Sequence, residues 1–269
     1  MYKIYVILML LSCFVGGNCQ IITTADGTRG AAMGGALAVS GQAEAGIINP
    51  AGIYADFSRG VIALAGRNYY GLDGLYWASL RVVRKFKPGT FSLAMHHNGY
   101  SGFNIREVSL SWAGKAGIAT LGLAGGVKQV YVAGVGTRFL YSLDFGGIVD
   151  LSEKIKYGAY ALNLNHPIIS KDDREYWPLV LVVGMEYTPH SKVVTVLNVR
   201  ESFNSLPVVH AGVEYNLIRL FWLRTGASSR PVQGHYGLGF QAGKWMMDYV
   251  CRSDLKLGSS HQWSVLFSF

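Results

Sequence analysis

The stretch HQWSVLFSF, residues 261–269, decides the fold, because large apolar side chains alternate in it with polar ones. The apolar series is Trp263, Val265, Phe267 and Phe269. The intervening residues are polar except at Leu266. Successive side chains of a β-strand point to opposite faces, and aromatic-rich alternation is typical of outer-membrane β-barrels. We therefore predict that this stretch is the C-terminal insertion strand of such a barrel.

The first residues have the pattern of a secretory signal peptide. Lys3 precedes an apolar run at 4–15, which is followed by two glycines and a weak cleavage region. The run is shorter than the roughly 20 apolar residues of a membrane-spanning helix. We predict a signal peptide at 1–19, with cleavage before Gln20 and export to the bacterial outer membrane. A lipoprotein signal ending at Cys13 is a weaker alternative, because its apolar core would be short.

The composition agrees with a barrel. Charged residues make up 15% of the chain, against about 25% in typical soluble domains, whereas aromatic residues reach 13% and glycine 34 of 269 residues. In lipid every backbone polar group must be bonded internally, so a chain without spanning helices can cross only as a closed barrel. We predict an all-β antiparallel transmembrane barrel over residues 57–269.

Turn residues recur at intervals that predict about 14 strands and no second domain. An even strand number fits the closure of bacterial barrels. The predicted strands start near residues 59, 75, 89, 105, 118, 134, 155, 177, 192, 207, 219, 232, 245 and 261.

Alternation along these strands directs apolar residues toward lipid and charged residues toward the lumen. An Arg or Lys on the lipid side would cost about 2–4 kcal/mol at mid-bilayer, so the alternation has a physical cause. The predicted lumen charges are Arg138, Asp144, Glu186, Arg200, Glu214, Asp248 and Arg252.

Residues 20–56 have a different character, because their central part is rich in Gly and Ala and lacks bulky alternation. Small residues allow close backbone approach, and Asn49-Pro50 disfavours helix at Asn49. We predict a plug or hatch segment inside the barrel mouth, and an ordinary leading strand with a loop is the alternative. The residues that mark the segment are Arg29, Gly34, Gly35, Asn49 and Pro50.

We find no pattern for catalysis, cofactor binding or metal binding. His96 and His97 are adjacent, so on a strand they point to opposite faces and cannot share a site with Ser101. The net charge is +8, but the basic residues are dispersed, which disfavours nucleic acid as a partner and favours anionic lipid head groups.

Two charged stretches are candidate surface features. Arg81, Arg84, Lys85 and Lys87 are predicted to form a basic rim that meets lipopolysaccharide phosphates, unless they are an ordinary turn. The run at 172–175 is predicted to be an exposed loop, with docking of a partner as the alternative.

Residues 29–36, RGAAMGGA, and residues 48–52, INPAG, resemble the amino-terminal motif of FadL-like outer-membrane proteins, in particular the PorV/PorQ branch. Later motifs resemble strands of that branch in order and spacing. They are Leu223-Arg224-Thr225-Gly226, Gly237-Leu238-Gly239-Phe240, Met247-Asp248-Tyr249 and the stretch 257–264. The resemblance implies a fourteen-stranded barrel with an inserted amino-terminal segment.

The resemblance implies two different functions. PorV-type members serve the type IX secretion system, whereas FadL-type members pass hydrophobic molecules toward a lateral opening. A transporter needs an apolar pocket, and the predicted lumen is charged. We therefore expect a non-enzymatic accessory subunit of secretion or surface assembly, with passive hydrophobic transport as the alternative. The expected partners are outer-membrane lipids, the barrel-assembly machinery and a larger secretion complex.

Overall fold

The computed structural model describes residues 27–39, 44, 49–54, 59–170, 175–203 and 205–269. Fourteen strands form a closed antiparallel barrel, as the sequence predicts. They are β1 (Gly60–Asn68), β2 (Tyr76–Lys85), β3 (Thr90–Tyr100), β4 (Phe103–Ala116), β5 (Ala119–Val132), β6 (Gly136–Asp150), β7 (Ile155–Leu162), β10 (Val180–His190), β11 (Val193–Ser202), β12 (Val208–Ile218), β13 (Phe221–Ser229), β14 (Val232–Ala242), β15 (Trp245–Asp254) and β16 (Gly258–Ser268).

The remaining elements are short. β8 (Ile168–Ser170) and β9 (Glu175–Tyr176) form a separate two-stranded sheet in the connection between β7 and β10. The helix α1 (Thr28–Ala32) and a 3-10 helix (Pro50–Ile53) belong to the N-terminal segment. Among the described residues, no helix has the length and apolar character needed to cross a membrane.

The barrel closes where β1 pairs with β16, from Val61 opposite Ser268 to Asn68 opposite His261. Each barrel strand therefore has a partner on both sides, which satisfies the backbone in lipid. All fourteen predicted strand starts lie within three residues of the observed ones. The predicted signal peptide at 1–19 lies outside the described residues, so it and the domain boundaries stay predictions.

Side chains alternate across the wall as the sequence predicts. In β16, Trp263 is exposed on the outer face, whereas Gln262 and Ser264 are buried on the inner face. Leu266, the apolar residue in the polar series, also points inward, where it belongs to an apolar cluster with Ile53 and Val83. The exception to the alternation therefore marks a contact with the N-terminal segment.

The two rims of the barrel differ in their connections. On the rim that we call the short-turn rim, every connection has two to four residues, as between β4 and β5 or between β10 and β11. The opposite rim, the long-loop rim, carries the long connection 163–179 between β7 and β10.

The wall is interrupted beside β6. β7 pairs with β6 only from Phe145 to Asp150, so residues 136–144 of β6 have no strand partner on that side among the described residues. The segment 163–167 lies there instead, where Leu164 N donates to Leu143 O at 2.8 Å. We call this junction of 136–144 with 163–167 the seam.

A charge on the outer face near mid-wall should test the orientation of the strands. Leu123 is exposed on β5, where it lies opposite Trp112 and Phe145 on the neighbouring strands. We expect Leu123→Arg to lower the free energy of unfolding in lipid vesicles by about 2–4 kcal/mol, because the guanidinium would enter hydrocarbon. Val135→Arg, in the exposed β5–β6 turn, is the control. Equal losses in the two variants, measured by urea titration, would contradict this orientation.

Candidate functional site: the lumen and its N-terminal segment

The described part of the N-terminal segment lies inside the barrel. The helix α1 contacts β13 to β16, and the 3-10 helix contacts β3 to β6. Both are buried along their whole length. Glycines in the wall make room for them: a Cβ at Gly212 of β12 would come within 2.5 Å of Met33 Cβ. Close backbone approach at such positions is available only to glycine.

The residues predicted to mark the plug all lie in this internal segment. Asn49 is buried, its Nδ2 donates to Ala38 O at 2.6 Å, and its Oδ1 accepts from Ala51 N at 3.0 Å. Asn49 thus caps the 3-10 helix that begins at Pro50. Gly34 and Gly35 have φ of +78° and +87°, which favours glycine. The role as a plug or hatch stays a prediction, because parts of 20–56 lie outside the described residues.

Four buried charges, which we call the lumen ion cluster, join the segment to the wall. Arg29 donates to both oxygens of Glu214, with both donor–acceptor distances 2.7 Å. Arg224 donates from Nε to Glu214 Oε2 at 2.6 Å and from Nη1 to Asp248 Oδ1. Buried charges need such pairing, and removal of one partner leaves an uncompensated charge. The cluster therefore ties α1 to β12, β13 and β15.

The other predicted lumen charges have varied surroundings. Asp144 is partly buried and accepts from Asn163 N at 2.7 Å. Arg252 donates to Gln262 Oε1 at 3.1 Å, and Glu186 and Arg200 are partly buried. Arg138 follows the inward alternation of β6 but is exposed, because it lies next to the β5–β6 turn at the long-loop rim.

Sequence reasoning missed some buried charges and misplaced one. Arg224 is the centre of the lumen ion cluster, and the alternation of β13 could have assigned it inward. Lys128 and Glu107 form a further ion pair at 2.9 Å on the inner face. Arg81 was predicted at the basic rim, but it is only 1% exposed, because it occupies an inward position of β2. That part of the prediction was wrong.

A second set of hydrogen bonds links the C-terminal strand to the segment. Gln262 donates from Nε2 to Thr28 Oγ1 at 3.1 Å, and its Oε1 accepts from Arg67 Nε at 2.8 Å. Two histidines of the wall bond to segment carbonyls: His210 Nδ1 lies 2.5 Å from Gly34 O, and His235 Nδ1 lies 2.7 Å from Ala31 O. The carbonyls can only accept, so both rings donate from Nδ1.

Glu44 adds a titratable group to the segment. It is 3% exposed, and its Oε2 accepts from Arg29 N at 3.3 Å. Burial, together with the nearby Asp248 carboxylate, raises the pKa of Glu44 to about 7.

The inner face is apolar near the long-loop rim. Ile105, Val130 and Leu140 form a buried cluster with Trp177, and Ile169 packs against it. We call these five residues the upper apolar cluster. Trp177 lies in the long connection, where its N donates to Pro167 O at 2.7 Å.

The outer face carries an apolar groove over β6, β7, β10 and β11. Its volume is about 810 Å³. Small outward residues, Gly147, Ala159 and Ala161, form its floor, and larger ones such as Leu181 and Val183 line it. We call it the outer groove. The seam and the outer groove both lie along β6.

The adjacent histidines His96 and His97 lie on opposite faces of the wall. His96 stacks on Trp77 on the inner face, whereas His97 stacks on Tyr76 on the outer face, as the sequence predicts. Among the described residues, no three His, Cys, Asp or Glu side chains lie together as a metal site.

Known structures share this fold. The CymD monoaromatic hydrocarbon channel matches with a TM-score of 0.69 and 12% identity over 90% of this chain and 97% of the other. The toluene transporter TodX of Pseudomonas putida matches at 0.67 and 11% identity over 89% and 96%. A FadL homologue from Pseudomonas aeruginosa matches at 0.67 and 10% identity over 90% and 98%. No protein-family model and no curated protein sequence matches this chain.

The fold is therefore that of FadL-like outer-membrane barrels. At 10–12% identity the likeness concerns the fold alone. The similar proteins are channels and transporters rather than enzymes. Nothing in these matches distinguishes the PorV/PorQ branch.

Breaking the lumen ion cluster should release the segment. Arg29→Gln removes the bidentate partner of Glu214 and leaves a buried carboxylate. We expect the free energy of local opening of residues 27–39 to fall by about 3 kcal/mol. Hydrogen exchange of these amides measures it, with Arg138→Gln as the control, because Arg138 is exposed. Unchanged protection of residues 27–39 in Arg29→Gln would contradict the conclusion that this cluster holds the N-terminal segment in place.

The segment should also loosen as pH rises. The pKa of Glu44 is raised from 4.5 to about 7 when the segment is in place, so the docked state binds the proton more tightly. This contribution to stability is complete below about pH 4.5 and is lost as pH rises through 7. We expect protection factors of residues 27–39 to fall over this range in the native protein. If Glu44 is the titrating group, the protection factors should change less with pH in Glu44→Gln than in the native protein. The same pH dependence in both proteins would refute this role of Glu44.

Proposed function

We propose that this protein is a passive channel for hydrophobic small molecules in the bacterial outer membrane. The observation that carries the proposal is the pair of apolar surfaces, one inside and one outside the wall, that adjoin the same strand. The upper apolar cluster includes Leu140 of β6, and the outer groove includes Phe145 and Gly147 of β6. The fold shared with hydrocarbon channels supports the same conclusion.

Entry would take place at the long-loop rim. A hydrophobic molecule binds among apolar side chains, and the upper apolar cluster supplies such side chains on the inner face of the wall. Trp177 and Ile169 cover it in the structure. Both residues belong to the connection 163–179 rather than to a barrel strand, so their displacement would expose the cluster without breaking a barrel ladder.

The axial route through the barrel is an unfavourable path for such a molecule. The N-terminal segment and the lumen ion cluster occupy the lumen, and an apolar solute would have to separate buried ion pairs. The charged lumen, from which the sequence favoured a secretion accessory, thus has a structural use in holding the segment. It no longer argues against hydrophobic transport.

The seam offers a lateral exit instead. Along residues 136–144 the wall is held by a few bonds to 163–167, including Leu143 N to Asn165 Oδ1 at 3.0 Å and Asn165 Nδ2 to Tyr141 O at 2.7 Å. These side-chain bonds and the backbone bond from Leu164 N to Leu143 O can open without unpairing barrel strands. A molecule that leaves here meets the outer groove, whose 810 Å³ lies within the roughly 300–1,000 Å³ of small-molecule sites.

Filling the outer groove should slow transport without unfolding the barrel. We expect Ala159→Phe to reduce uptake of radiolabelled toluene and oleate several-fold in cells whose own hydrophobic channels are deleted, because the ring would occupy the groove floor. Ala227→Phe is the matched control, since Ala227 is an outward-facing residue of β13 and β12 separates it from the strands of the groove. Heat-dependent mobility in gels would verify that both variants fold.

Equal uptake in the native protein, in the variants and in cells without the protein would overturn the transport proposal. A secretion or assembly accessory is the second candidate, since it accommodates the same barrel with a filled lumen. Recovery of a large secretion barrel in stoichiometric amount with the tagged protein, together with absent uptake, would favour that candidate.

A further inference from the structure

The short-turn rim carries an excess of positive charge. Ten basic side chains lie at it, whereas Asp150, Glu153 and Glu186, which lies opposite Lys156, are its acidic residues within the described chain. Asp150 already pairs with Lys115 and Lys156, at 3.6 and 3.5 Å. The ten basic residues, which we call the basic rim, are Arg59, Arg84, Lys85, Lys87, Lys115, Lys154, Lys156, Lys192, Arg219 and Lys244.

The charge is not a general property of the barrel ends. The long-loop rim has both signs interspersed in its described part. Its charged residues include Asp73, Arg138, Arg200, Glu201, Arg230, Asp254 and Lys256. The asymmetry therefore belongs to one side of the membrane.

The excess is densest at the β2–β3 turn. Lys85 N donates to Arg59 O at 3.0 Å, which brings the start of β1 beside the end of β2. Arg84 and Lys87 lie in the same turn region, and the sequence has no acidic residue from 74 to 106. We call Arg59, Arg84, Lys85 and Lys87 the basic patch.

Aromatic side chains place this patch at the edge of the apolar belt. Phe91 is exposed on the outer face directly opposite Arg84, and its ring packs edge-on against Phe86 at 5.8 Å. The Arg84 guanidinium lies 5.3 Å from the centre of the Phe86 ring. Long basic side chains keep their stems on apolar surface and their charged ends in the polar layer. The cations thus lie at the depth of lipid head groups.

We propose that the basic rim, through the basic patch, binds the phosphate groups of anionic phospholipids in the periplasmic leaflet. Short turns of outer-membrane barrels face the periplasm, which places this rim at the phospholipid leaflet. Arg84, Lys85 and Lys87, which the sequence predicted to meet lipopolysaccharide phosphates, lie at this rim, whereas lipopolysaccharide lies in the opposite leaflet. Basic residues near an anionic surface attract its lipids, and the attraction is screened by salt. The inference does not depend on the transport proposal.

Lipid selectivity tests this proposal directly. The protein is placed in nanodiscs of phosphatidylethanolamine with a minor share of phosphatidylglycerol, and the lipids that it retains are counted by native mass spectrometry. We expect enrichment of phosphatidylglycerol in the native protein. The variant R59Q/R84Q/K85Q/K87Q should lower that enrichment on the order of fivefold, because the phosphates lose their cations.

A matched control removes four charges from the other rim. R138Q/R200Q/R230Q/K256Q changes the net charge equally and should leave the enrichment unchanged. Equal loss in both variants, or no preference of the native protein for phosphatidylglycerol, would overturn the proposal. Retention of added lipopolysaccharide in place of phosphatidylglycerol would overturn it too, since the rim would then face the outer leaflet.

A salt series keeps the proposal testable if the fourfold variant fails to fold. Raising the salt from 0.1 to 1 M shortens the screening length from about 10 to about 3 Å. Enrichment in the native protein should fall with salt, and Arg84→Gln alone should weaken it in part. Enrichment that is independent of salt would refute an electrostatic site.

Discussion

Hydrogen bonding between β1 and β16 is the constraint on which the rest of the molecule depends. The eight residue pairs from Val61–Ser268 to Asn68–His261 remove the last free edges of the sheet, which lipid would not tolerate. Closure of the sheet also encloses the lumen. Only then do alternate residues of every strand converge on one lumen, where Gln262 of the closing strand meets Thr28 of the N-terminal segment. The apolar belt outside and the ion cluster inside are two results of the same closure.

The strands could be predicted from the sequence because their cause is local. Alternation with period two follows from backbone geometry, so β10 and β15 show their lipid-facing residues in the sequence itself. The shortness of β7 could not be predicted in this way. It depends on which residues of β6 pair with β7, and residues 136–144 have no strand partner on that side among the described residues. The number of residues that pair between two strands depends on both strands and on the connections beside them, so the sequence of one strand does not determine it.

The lumen charges were predictable as a class but not as a network. Glu214 and Asp248 face inward as the alternation indicates. Their partners could not be predicted in the same way, because Arg29 lies 185 residues before Glu214, and Arg224 lies on β13, next to the strand of Glu214 but two strands from that of Asp248. The residue type alone does not predict whether an inward charged side chain only fills the lumen or binds another segment of the chain. Leu266 illustrates the reverse case, because its departure from the polar pattern was visible and its cause, the contact with Ile53, was not.

The distribution of contacts made by the N-terminal segment has a consequence for biogenesis. Its helix α1 rests on β13 to β16 and its 3-10 helix on β3 to β6, so the two binding surfaces come from opposite ends of the translated barrel. The two surfaces lie on either side of one lumen only after the sheet has closed. The portion of the described chain that is synthesised first can therefore dock fully only after β13 to β16, the strands synthesised last, have been added. A barrel in which β12 is missing or shifted in register would leave Arg29 without Glu214, so the N-terminal segment would lose this bond to the wall.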